Sequence, residues 1–140
     1  MAETGKFPIV ERAVRWLIIM LLAEFVLGAV LMTVIGYSPN KHSGAQDVFL
    51  IAHVIVALAL LVGSFAHILT SRHSRLLGPK PIMGFLCIVG ALVSGSLATN
   101  GSNIATLLMA LFFGAALVTY GLSYITVKTT GSRAAPRRED

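Results

Sequence analysis

Three ionisable side chains, Glu24, His53 and His67, stand inside apolar stretches of this 140-residue chain. A chargeable group in hydrocarbon is costly, so each is a functional candidate by default. The two histidines are fourteen residues apart. On one helix that spacing is a rise of ~21 Å and a net rotation of ~40°. Both imidazoles then face roughly the same way at opposite ends of one span. Ala57 and Ser64 leave room on that face, which Leu60 shares. Imidazole is an axial ligand of haem iron, and an apolar helical bundle suits the macrocycle. The bland alternatives are that His53 donates a hydrogen bond to Glu24 or to a neighbouring carbonyl, and that His67 reaches the interface near Arg72, His73 and Arg75. Glu24 lies near the middle of its stretch, where low dielectric disfavours a charged carboxylate. It reads as a protonated hydrogen-bond donor or as a group that handles protons or cations.

The elements that carry these residues follow from composition. The chain is 56% hydrophobic and only 12% charged, with a mean hydropathy of +0.82. Soluble domains carry about twice that share of charge, and disordered chains are poor in apolar residues. A spanning helix needs ~20 mostly apolar residues. Four stretches qualify, at about 16–35, 48–70, 82–99 and 104–127. Backbone polar groups cannot be left unpaired in lipid, so the spans are helices, and no alternation of period two suggests a barrel. The breakers Gly36 to Asn40, Gly78-Pro79-Lys80-Pro81 and Asn100-Gly101 fall between them. Short connections make neighbouring helices antiparallel. The expected fold is an all-α integral membrane protein, an antiparallel four-helix bundle over residues 1–128 with a disordered polar tail over 129–140.

Ten of the eleven Lys and Arg residues fall on one side of this arrangement, Lys41 being the exception. The positive-inside rule then puts both termini in the cytoplasm, in a bacterial inner membrane by expectation. The net charge of +5 lies beside apolar spans and is read as attraction to an anionic bilayer surface, not to nucleic acid. Trp16, Tyr120, Tyr124 and Tyr37 are placed as interfacial aromatics. The first span is too long for a signal-peptide core and reads as a retained anchor. Gly90, Ser94 and Ala98, Ala91 and Gly95, and Ala110 and Gly114 repeat every four residues. Such spacing serves close packing within a bundle, and it would also serve a homodimer face. The lone Cys87 closes no internal disulfide. No phosphate loop, nucleophile–base pair or two-carboxylate arrangement occurs.

The run Ala23-Glu24-Phe25-Val26-Leu27-Gly28, followed by Ala52-His53-Val54-Ile55-Val56-Ala57-Leu58, resembles one four-helix half of haem A synthase. The histidine spacing is also similar to that of membrane b-type cytochromes. The resemblance implies haem b, with His53 and His67 as axial ligands and a quinone or redox protein as partner. It departs at the fourth helix, where the family pattern has a histidine and this chain reads Asn103-Ile104-Ala105-Thr106-Leu107. A second copy of the chain, Met32 or Met109 could supply the missing ligand, or the iron could be five-coordinate. The run Leu22 to Met32 around Glu24 also resembles the first helix of the small multidrug resistance exporters, which implies proton-coupled export of cations. Their third-helix aromatic motif is missing here, since Cys87 to Thr99 are small and aliphatic. The expected function is transmembrane electron transfer or haem handling. The alternatives are a proton-coupled exporter and a structural subunit of a larger membrane complex.

Overall fold

The computed structural model describes residues 7–33, 44–72, 77–98 and 102–134. It holds four helices: α1 (Phe7–Thr33), α2 (Gly44–Ser71), α3 (Lys80–Ala98) and α4 (Asn103–Ala134). Each contains a stretch long and apolar enough to cross a membrane. The described residues contain no strand. No more than 28% of any spanning window is buried inside the chain. Large apolar side chains such as Val62, Ile104 and Val118 point outward instead. Water would not tolerate that surface, and lipid does. The chain is therefore an all-α integral membrane protein with a four-helix bundle.

The helices form a closed ring in which each touches its two neighbours: α1 meets α2 and α4, and α3 meets α2 and α4. The α2–α4 diagonal is bridged at the centre by the His67 and Tyr120 rings. The α3–α4 seam is the closest. Its small residues explain why: a Cβ on Gly84 would stand 2.6 Å from Tyr120, one on Gly90 would stand 2.9 Å from Phe112, and one on Gly95 would stand 3.1 Å from the Met109 sulfur. Large side chains of α4 thus lie directly on the α3 backbone, which is the close approach that small residues permit in lipid. The small residues of α4 are used differently, since Ala110 and Gly114 are exposed.

Helix α1 starts nine residues before the apolar window at Trp16. Its first turns are amphipathic rather than apolar. Val10, Val14, Leu17 and Leu21 form a buried stripe, while Arg12 and Arg15 are exposed on the other side. Pro8 is acceptable because the first helical turn has no intrahelical N–H bond to lose. The turn into α3 places Gly78 at φ +53°, a left-handed conformation that a side chain would strain. Leu77, 1% exposed, plugs the core beneath it. Ser102 caps α4 by accepting from the Ala105 N–H at 3.3 Å. Helix α4 continues past Lys128 to Ala134, into the segment expected to be a disordered tail.

One aromatic placement is corrected. Trp16 is 57% exposed, but Tyr120 is fully buried. Its position on α4 points to the bundle centre and not to the headgroups. Tyr37 lies outside the described residues.

Candidate functional site

Helix α2 supplies the axis of the site. Its inward stripe runs Gln46, His53, Ala57, Leu60, Ser64, His67, Ser71, all buried except the half-buried His53. After a first step of seven, the spacing from His53 onward alternates fours and threes, as a bundle-facing seam requires. Both histidines lie on this stripe, as the wheel arithmetic predicts. The stripe is polar near both ends and apolar between them. Leu60 at 3% exposure, Leu21 at 1% and Ile88 at 4% fill the middle. The two imidazoles thus belong to two polar layers separated by an apolar plug.

The first layer is a carboxyl–imidazole pair across the α1–α2 seam. Glu24 is 5% exposed. His53 Nδ1 lies 3.1 Å from Glu24 Oε1, near enough to share a proton but not aligned as a hydrogen bond. Glu24 Oε2 is buried without a hydrogen-bond partner among the described residues. One turn further along α1, Gly28 keeps its side free, so that His53 Cε1 comes within 3.5 Å of where a Cβ would be. Glu24 lies about 9 Å from the far end of its span, Ile9–Val30. The pair therefore sits in the half of the bundle away from the end where α1 begins and α4 ends.

The second layer lies near that end. His67 is 1% exposed, so it does not reach the interface. Its ring is tilted at 58° against the Tyr120 ring, with centroids 6.0 Å apart across the bundle diagonal. Among the described residues both ring nitrogens of His67 are buried without a hydrogen-bond partner, and the buried Tyr120 hydroxyl has the Ser64 side chain beside it without a well-aligned bond. The neighbouring hydroxyls give their protons to backbone carbonyls: Ser64 donates to Leu61 O at 2.9 Å, Ser71 to His67 O at 2.6 Å and Ser123 to Thr119 O at 2.8 Å. A short hydroxyl reaches back to its own helix. An imidazole or a phenol is too long to do so, and needs a partner from elsewhere. By type and spacing Tyr120 is placed as an interfacial aromatic and not among the candidate site residues. Gly84 on α3 is its mark in the sequence, since a buried aromatic needs a gap opposite.

The remaining candidates fall elsewhere. The Met109 thioether is packed on Gly95 of α3, away from the α1–α2 seam that holds His53. The Met32 side chain, His42 and His73 lie outside the described residues. No group of three or more His, Cys, Asp or Glu that could hold a metal ion occurs among the described residues. Haem is implied by resemblance, and the donor chemistry fits it. His67 has unpaired nitrogens, and a carboxylate on Nδ1, as at His53, is the usual way a ligating imidazole is oriented. The space within one chain does not fit. His67 meets Tyr120, His53 meets Glu24, and the groove that His67 reaches holds about 280 Å³. Drug-sized ligands occupy pockets of ~300–1,000 Å³, and a porphyrin is larger than most of them.

No family model, curated protein or solved structure matches this chain.

Proposed function

We propose that the protein handles protons in the membrane through Glu24 and His53, as a proton-coupled exchanger of cations. The observation that carries this reading is the buried contact of 3.1 Å between Glu24 Oε1 and His53 Nδ1. Neither partner can hold a lone charge there cheaply, because an unpaired ion in low dielectric costs several kcal/mol. The pair is most stable with no net charge, holding one proton between the two side chains. Loss of that proton leaves a negative charge on Glu24, which a second cation can neutralise. Proton and cation then compete for one carboxylate, whose Oε2 has no hydrogen-bond partner among the described residues. Ionisable groups facing a bundle interior mark such pathways. The apolar plug at Leu21, Leu60 and Ile88 supplies the barrier that separates this site from the other face. The Lys and Arg distribution puts the pair in the outer half of the bilayer, with both termini in the cytoplasm.

The test is proton release in a weakly buffered detergent solution on adding tetraphenylphosphonium. The unaltered protein should acidify the solution saturably, while Glu24→Gln should release nothing. Equal release from Glu24→Gln would end the proposal.

A second reading, a b-type haem protein that carries electrons between the two leaflets, is favoured by the shared stripe of His53 and His67 and by the unpaired His67 nitrogens. It requires a macrocycle held between copies of the chain. Its test is the visible spectrum of protein purified from cells supplied with haem. A Soret band that His53→Ala and His67→Ala each diminish is the positive result, and a colourless protein under those conditions is the negative one.

A further inference from the structure

A groove of about 280 Å³ runs between α1 and α2 beside the second polar layer. Ala13, Ala59, Gly63 and Ala66 give it a shallow floor, Trp16 stands on its rim, and His67 lies at its base. Ala59, Ala66 and Thr70 are exposed, so the groove opens sideways into the bilayer. A lipid-soluble molecule reaches it without crossing water.

We propose that this groove binds a lipid-soluble quinone, with the ring over the small residues, a carbonyl toward His67 and the tail in the lipid. This site is separate from the Glu24–His53 pair and does not depend on it. Two features select the ligand. First, His67 is 1% exposed and has no hydrogen-bond partner for either nitrogen among the described residues, while the nearby serine hydroxyls give their protons to backbone carbonyls. A neutral imidazole has one donor and one acceptor nitrogen, and either tautomer can form. Once the ring turns, the nitrogen it presents to the groove donates to a quinone carbonyl or accepts from a quinol hydroxyl. A plain acyl chain offers neither. Second, no Lys or Arg lines the groove among the described residues, so an anionic headgroup finds no cation there. A flat, neutral head with carbonyl acceptors satisfies both conditions. Binding turns the imidazole from Tyr120 toward the groove.

Trp16 is the only tryptophan in the chain, and it lies on the rim. Its fluorescence is therefore a direct reporter. Titration of the detergent-purified protein with decylubiquinone should quench it saturably. His67→Phe, which keeps the bulk and removes the hydrogen bond, should weaken binding about tenfold. Ala59→Phe fills the groove from its exposed wall, where it does not disturb the core, and should abolish saturation. This second variant decides the matter if His67→Phe does not fold. Linear quenching that is the same in the unaltered protein and Ala59→Phe overturns the proposal. Saturable quenching by a brominated fatty acid but not by the quinone also overturns it, and assigns the groove to an acyl chain. A Soret band lost in His67→Phe assigns that imidazole to iron and overturns it as well.

Discussion

Gly84→Val is expected to destabilise the bundle by about 3 kcal/mol, the upper end of the usual cost of overpacking. The expectation follows from where the new atoms must go. Even a single Cβ at this position would come within 2.6 Å of Tyr120 Cζ and 2.9 Å of its Cε2 and hydroxyl oxygen. The Tyr120 ring cannot move aside, because it is 0% exposed and faces the His67 ring on the opposite side. Gly90→Val supplies the contrast. Its Cβ would meet Phe112 at 2.9 Å, but Phe112 is 37% exposed and can swing into lipid. That variant should cost under ~1.5 kcal/mol. A cycle with Tyr120→Leu separates the two explanations. If the tyrosine ring is the obstacle, Gly84→Val in the Tyr120→Leu background should lose most of its cost, a coupling well above the ~0.5 kcal/mol expected of independent sites. Unfolding in mixed micelles reads all four proteins. Purely additive costs would mean that Gly84 matters for another reason.

That contact also shows what a sequence conveys about such a bundle. The four spans are legible because twenty apolar residues in a row are a matter of composition, and lipid exposure demands them on every side of a helix. The start of α1 is not legible by that route. From Val10 to Arg15 the helix is apolar on one side only, with Val10 and Val14 buried and Arg12 and Arg15 exposed, and averaging over a window hides this. The common face of His53 and His67 follows from helical periodicity alone. Their partners do not, because a partner depends on how far each neighbouring helix is rotated about its own axis. Packing sets that rotation. The Glu24 contact of His53 appears in the sequence as one of two bland alternatives for that histidine. Tyr120 lies 53 positions from His67, across a diagonal where the helices themselves do not touch. Its burial depends on Gly84 leaving a gap, a relation between two residues on different helices that no pattern along either one expresses.

Glu24 and His53 give the sharpest division between structural and chemical roles. Removing one partner and removing both should have opposite effects on stability, while cation-driven proton release is lost either way. Glu24→Leu alone leaves His53 Nδ1, buried and within 3.1 Å of the former carboxyl, facing an alkyl group. His53→Leu alone leaves a carboxyl that is 5% exposed with neither oxygen engaged by His53. Each single change should therefore destabilise the protein. The size of the coupling identifies the state of the pair. Polar contacts between membrane helices average ~0.6 kcal/mol and reach ~1.7, whereas breaking a buried ion pair costs ~3–5. A pair of neutral side chains, with the shared proton on Glu24, should show a coupling of about 1 kcal/mol, whereas a carboxylate–imidazolium pair, equally free of net charge, should show ~3 or more. In the double variant Glu24→Leu with His53→Leu, two apolar side chains meet across the α1–α2 seam with nothing left unsatisfied. Such replacements are often neutral or stabilising by ~1–4 kcal/mol, so the double variant should be at least as stable as the unaltered protein. A bundle that is better off without the pair has no structural reason to bury it, and the loss of proton release in that stable double variant would then be a loss of chemistry. A double variant less stable than either single one would show instead that the pair holds α1 against α2, and the exchanger reading would lose its support.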